Sequence, residues 1–121
     1  MKENNLIVEK SKKFAIRIIK LFQYLKKQKQ EFYVSTQLVR SGTSIGANVK
    51  EAIRGYSVDD FRFKLNISLK EASETEYWLE LLYETGYLTE EEFTSIHADC
   101  VELIKLLTSI VKTTGSKKCE L

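Results

Sequence analysis

His97 and Cys100 stand one helical turn apart, the spacing that puts two ligands on one helix face, and together they would supply half of a zinc site. The chain has one histidine and two cysteines, so the second half has only the distant Cys119 to draw on. Di-iron sites in helical bundles need Glu-x-x-His on each of two helices, whereas His97 follows Thr94 and Phe93 at the corresponding positions. No metal and no cofactor is expected. Ser41 and Ser44 have no histidine within reach to act as a base, and neither cysteine has an evident electropositive setting. Glu71 with Glu74, and Asp59 with Asp60, have the spacing for acid-base work, but helix surfaces carry many such pairs as solvated or ion-paired groups. The chain is therefore read as a protein without enzymatic activity.

A different chemistry suits the N-terminal segment. Lys10, Lys13, Arg17, Lys20, Tyr24 and Lys27 fall within about 100° of one another when plotted at 100° per residue, a stripe about 25 Å long. Cations at that spacing match successive phosphates of RNA or DNA, and Tyr24 offers a ring for stacking on an unpaired base. The net charge of +2 conceals this stripe. Residues 1–40 hold ten Lys or Arg against three Glu, while residues 41–121 hold nine basic against fourteen acidic side chains. A basic amphipathic helix can also lie on a membrane, but this one must bury its apolar side in a core, which leaves little for lipid. No membrane partner is expected.

The elements that position these residues are helices. The 121 residues include no proline and five glycines, too little punctuation for a sandwich or barrel, and the length suits one domain. No apolar run reaches the roughly 18–20 residues of a membrane span. The N-terminus lacks the apolar core and cleavage site of a signal peptide, and two cysteines make no disulfide framework, so a cytoplasmic setting is expected. Gly55, Gly86 and Gly115 mark the ends of periodic segments, where a left-handed residue closes a helix. Ser57 to Asp60 and Thr89 to Glu92 read as capping boxes, and Asn4 or Asn5 as the first cap. The pattern predicts helices at about 5–27, 35–54, 58–85 and 89–113, with a frayed tail over 114–121. Short connections then give an antiparallel, up-down-up-down four-helix bundle.

Two features go beyond the bundle itself. On the first helix, Leu21, Phe14, Leu25, Ile7, Ile18 and Phe22 extend through Ala15, Val8 and Ile19 into an apolar arc of about 160°, wider than one core requires. The third helix likewise spreads Phe63, Ile67, Trp78 and Leu81 beyond its main seam, which predicts a homo-oligomer that covers the surplus. Second, Gly42 and Gly46 lie one turn apart in a segment poor in helix formers, leaving a smooth strip for a close-packed neighbour. No Lys-Ser or Lys-Thr follows them, so a phosphate loop is the weaker reading. If the second and third helices fold back at Gly55, facing residue numbers sum to about 112 and Arg40 meets the Glu71 to Glu76 region. Arg40, Ser44, Asn48, Glu71 and Glu74 are then a network that fixes helix register.

The segments QLVRSGTSIGANVKEA (Gln37 to Ala52) and DFRFKLNISLKEASETEYWLELLYETGYL (Asp60 to Leu88) resemble the bacterial four-helix-bundle proteins encoded in intervening sequences of 23S ribosomal RNA genes, which also carry a ribosomal-protein label. The likeness spans residues of roughly 14 to 110. This chain has Lys29-Gln30-Glu31 where many members have a proline before the second helix, and Glu51-Ala52 where many have a glycine after the glutamate. The resemblance implies a ring-shaped homopentamer and a link to RNA. It also implies kinship with the accessory variability proteins of diversity-generating retroelements, which use a basic surface to bind nucleic acid and a reverse transcriptase. It supplies no catalytic residue. Three readings follow: a nucleic-acid-binding assembly using the first helix, a protein-binding scaffold with no nucleic-acid role, and, as the weakest, a small-molecule or metal protein using the bundle core.

Overall fold

The computed structural model describes the backbone of residues 2–120 and the side chains of residues 4–115. It is all-α, with α1 (Lys2–Lys27), α2 (Val34–Ile53), α3 (Val58–Glu84) and α4 (Glu90–Glu120) and no strand among the described residues. Buried positions recur at intervals of three and four, with one step of seven on α1: Ile7, Ser11, Phe14, Ile18 and Leu25 on α1, and Leu38, Ser41, Ile45, Val49 and Ala52 on α2. Leu65, Ser68, Ala72, Thr75, Leu79 and Leu82 continue the core on α3, and Ile96, Cys100, Leu103, Leu107 and Ile110 on α4. That spacing keeps one stripe of each helix facing a common centre. α1 packs on α2 and α4, and α3 packs on the same two.

The four starts and stops differ in chemistry. α1 begins at Lys2, ahead of the expected caps, so Asn4 and Asn5 sit inside its first turns. A helix start leaves its first N–H groups unpaired wherever it falls, so an unanchored end can lengthen beyond a candidate cap. At α2 the anchor is Glu31, only 6% exposed. Its carboxylate accepts the backbone N–H groups of Tyr33 (3.2 Å), Val34 (3.1 Å) and Ser35 (2.7 Å), and Ser35 Oγ donates back to the Glu31 carbonyl at 2.8 Å. The turn before it places Gln30 at φ 53°, a left-handed conformation uncommon outside glycine. Ser57 caps α3, its hydroxyl accepting from Asp60 N at 3.1 Å, while the Asp60 carboxylate accepts from Tyr56 N. α4 has the reciprocal box, with Glu92 N to Thr89 Oγ1 at 3.1 Å and Thr89 N to Glu92 Oε1 at 2.8 Å.

Of the three glycines expected to close helices in the left-handed conformation, Gly86 alone has it, at φ 88°. At Gly55 the constraint is space: a Cβ would lie 2.5 Å from Asp60 Oδ2. Gly115 is no stop at all, because α4 continues to Glu120 through most of the tail expected to fray. Arg62 of α3 accounts for the first part of that extension. Its guanidinium lies so close over Gly115 that a Cβ there would sit 2.9 Å from Nη2, and its Nε donates to the Val111 carbonyl at 3.3 Å. Leu121 lies outside the described residues.

Close approach of α2 to its neighbours depends on small residues. Gly42 faces Ile18 and Gly46 faces Ser11 across the α1–α2 seam. On the other side Ser68 Oγ donates to the Ile45 carbonyl at 2.8 Å, and Thr75 Oγ1 donates to Ser41 Oγ at 2.8 Å. Buried hydroxyls thus find partners across the interface, as polar groups removed from water must.

Candidate nucleic-acid interface and the α2–α3 network

The Arg40 network forms at the predicted register. Arg40 Nη1 lies 3.1 Å from Glu71 Oε2, and Nη2 pairs with Glu74. Trp78 Nε1 donates to the same Glu74 carboxylate at 3.0 Å. The indole N–H and then the guanidinium hold Glu74 below the ordinary carboxylate range, against the opposing effect of partial burial. A carboxylate with a lowered pKa contributes its stabilisation at neutral pH and loses it as the pH falls through that lowered value. Because Arg40 is half exposed, the pair is worth no more than about 1 kcal/mol.

Two expected members do something else. Ser44 Oγ donates to the Arg40 carbonyl at 2.7 Å, and Asn48 Nδ2 to the Ser44 carbonyl at 2.8 Å, both within α2. Short polar side chains reach the preceding turn of their own helix more easily than a neighbouring one. The hydroxyl bonds that cross from α2 to α3 come instead from Ser41, Thr75 and Ser68, which are fully buried. Pure spacing did not single out Thr75 or Ser68, although both fall on the interior stripe of α3.

The basic stripe of α1 divides in two. In its N-terminal part Lys10 Nζ lies 3.0 Å from Glu102 Oε1, Lys13 Nζ 3.0 Å from Glu9 Oε1, and Arg17 Nη1 2.7 Å from Asp99 Oδ2. Arg17 also reaches Ser95 Oγ at 3.0 Å. α4 therefore supplies much of the balancing charge, which a wheel drawn for α1 alone cannot reveal. The C-terminal part is different. Lys20, Lys26, Lys27 and Lys29 have no ion pair among the described residues, and no Asp or Glu occurs between residues 20 and 30. Lys26 sits 5.8 Å from the Phe22 ring centroid and Lys29 6.0 Å from that of Tyr24. Tyr24, Phe32 and Tyr33 are exposed at the same end. A groove of about 500 Å³ separates Lys20 and Tyr24 from Glu91 and Glu92 at the start of α4.

The residues considered for other chemistry are spread apart in role. His97 Nε2 lies 2.8 Å from Glu76 Oε2, with its ring stacked on Phe93. Cys100 is buried with its thiol 3.4 Å from the Ala72 carbonyl. Burial first, with Glu76 and Asp99 adding, pushes that thiol up to about 12, so it stays protonated at neutral pH. The Cys119 side chain lies outside those described. Among the described residues no group of three or more His, Cys, Asp or Glu is arranged to hold a metal ion, and no helix is long and apolar enough to cross a membrane.

Comparison with known proteins adds a family likeness. The model of a family described as 23S rRNA-intervening sequence protein matches residues 3–109. A crystal structure from Bacteroides thetaiotaomicron, described as a protein of unknown function from the S23 ribosomal protein family, is similar at TM-score 0.90 and 53% identity. The alignment covers 91% of this chain and 98% of that one. Among curated proteins none matches the chain.

Proposed function

Because the chain belongs to the 23S rRNA-intervening sequence protein family, we propose that it is a cytoplasmic, non-enzymatic RNA-binding protein whose antiparallel bundles assemble into a homopentameric ring. The observation that carries the RNA reading is the run of Lys20, Lys26, Lys27 and Lys29, without an acidic partner among the described residues, beside exposed Tyr24. Phosphates are the natural counter-charge for such a cluster, with stacking as the second contact. The cluster narrows the interface to the C-terminal half of α1 and the connection that follows. Lys10, Lys13 and Arg17 hold acidic partners and contribute less.

Surplus apolar surface supports the assembly. Val8 and Ile19 on α1 and Phe63 on α3, the last 62% exposed, form no part of the core. Val8, Ala15, Ala47 and Ile53 line a groove between α1 and α2 rimmed by Lys12, Lys50 and Arg54. Light scattering at micromolar concentration is expected to return five times the chain mass; a monomer overturns the assembly.

Binding is tested with a labelled single-stranded RNA at two salt concentrations. Contact with about three phosphates predicts an affinity loss of roughly twentyfold between about 50 and 200 mM salt. Changing Lys20, Lys27 and Lys29 together to Glu is expected to reduce affinity tenfold or more. Changing Lys10 and Lys13 to Gln should alter it less than twofold. An unchanged affinity in the triple variant removes the interface from this end of α1.

A further inference from the structure

The start of α2 and the C-terminal part of α3 enclose a shallow pocket of about 510 Å³, lined by Phe32, Tyr33, Val34, Thr36, Gln37 and Trp78. Of its aromatic walls, Trp78 packs against the core, while Phe32 and Tyr33 are no part of it. Phe32 is 48% and Tyr33 84% exposed. Yet the backbone that presents them is fixed, since the Glu31 carboxylate takes the N–H groups of Tyr33 and Val34 and Thr36 Oγ1 donates to the Phe32 carbonyl at 2.6 Å. The opposite wall is held as firmly. Trp78 is tied by its indole N–H to Glu74, which Arg40 secures in turn.

The polar inventory of the pocket is small and directional. Gln37 Oε1 accepts from Arg40 Nε at 3.4 Å, while its amide N–H₂ has no protein partner among the described residues. No charged side chain lines the pocket, but Lys29 lies three residues ahead of Phe32, with Lys26 and Lys27 on the adjoining turn of α1. The pocket thus suits a planar apolar face with a hydrogen-bonding edge, attached to something negative that extends toward the lysines. An acidic peptide matches the charge but needs an added aromatic side chain to fill the ring-lined walls, whereas a nucleotide carries ring, edge and charge in one unit. A nucleotide matches all three, provided its base is unpaired, because paired bases in an RNA duplex do not expose their faces.

We propose that this pocket is a base-stacking subsite for single-stranded RNA, seating one unpaired base between Tyr33 and Trp78 with its edge toward Gln37. The proposal rests on the RNA reading above and adds to it a preference for single strands over duplexes.

Trp78 is the only tryptophan in the chain, so its emission reports on the pocket directly. Adenosine, which carries no phosphate, is expected to quench it at millimolar concentration. Oligoadenylate is expected to bind at least tenfold tighter than the same strand annealed to its complement. Tyr33→Ala, an exposed position, should lower single-strand affinity roughly tenfold and leave duplex affinity unchanged. Gln37→Ala should weaken adenosine quenching without disturbing the fold by circular dichroism.

The Lys20, Lys27 and Lys29 to Glu variant separates the two ideas. It should lose strand binding while retaining quenching by adenosine. If adenosine leaves the emission unchanged and Tyr33→Ala binds oligoadenylate like the parent, the subsite is overturned and phosphate binding stands. If single strand and duplex bind equally while Tyr33→Ala disrupts assembly in light scattering, the pocket is a protein contact and the proposal falls.

Discussion

Glu31→Ala is expected to lower the free energy of unfolding by about 3 kcal/mol, seen as a reduced urea midpoint at unchanged slope. The magnitude follows from what one carboxylate does at the start of α2. It accepts three backbone N–H groups, the shortest at 2.7 Å from Ser35, a fully buried residue. A helix start has four such donors without an intrahelical partner, and losing one good cap costs about 0.5–2 kcal/mol. Leaving the Ser35 N–H unpaired away from water adds about 1–3 kcal/mol. Glu31→Gln keeps one carbonyl acceptor but no charge, so about half of the loss is expected. A change below about 0.5 kcal/mol in the alanine variant would show that water replaces the carboxylate without penalty.

Gly42→Val is expected to cost about 3 kcal/mol for a different reason. A Cβ at this position would approach Ile18 Cγ2 to 2.8 Å, Cγ1 to 3.0 Å and Cβ to 3.3 Å. Ile18 is fully buried, and contact with its Cβ leaves no flexible tip to swing aside, so α1 itself must move. Overpacking of this kind typically costs about 1–3 kcal/mol, and valine adds two more methyl groups to the clash. Helix propensity pulls the other way by only a few tenths of a kcal/mol, because glycine is about 1 kcal/mol worse than alanine in a helix interior but valine is also poorer than alanine. Gly46→Ala is the control. Its Cβ would meet Ser11 Oγ at 3.3 Å, a milder contact, so the propensity gain and the crowding nearly cancel. Pairing Gly42→Val with Ile18→Ala should restore part of the lost stability, a non-additive result expected only if the two side chains compete for one space. A tolerated valine, measured by thermal and urea unfolding, would mean that the α1–α2 seam is looser than its geometry indicates.

Much of the bundle was legible because helical spacing is local information. The three-four alternation of apolar residues identifies the buried stripes, and Thr89 with Glu92 encodes its capping box within four residues. Arg40 reached Glu71 and Glu74 as expected because a short turn between consecutive helices ties residue numbers to height. Where a partner lies on a helix distant in sequence, that rule gives nothing. Lys10 and Arg17 meet Glu102 and Asp99 across the α1–α4 seam, a pairing set by how the bundle closes rather than by any loop. Arg62 over Gly115 is another such case, and it turned an apparent helix stop into an interior position. Glu31 escaped notice because it sits in a polar stretch that resembles ordinary connecting chain. Its position just ahead of Val34 and four residues before Ser35 was the available signal, but helix caps with a glutamate at that place lack the Ser or Thr signature by which starts are normally found.

The ion pairs that join Lys10 to Glu102 and Arg17 to Asp99 also orient the particle. Lys10 meets a later turn of α4 than Arg17 does, so the pairs join the first half of α1 to a defined stretch of α4. The last turn of α1, with Lys26 and Lys27, and the connection to α2, with Lys29 and the Tyr33 ring, lie at the other end of α1. α1 is therefore an asymmetric element, held to α4 over its first half and, among the described residues, without ion pairs over its last turns. A tag joined ahead of α1 is accordingly expected to leave the proposed RNA contact at the lysine-rich end unshaded.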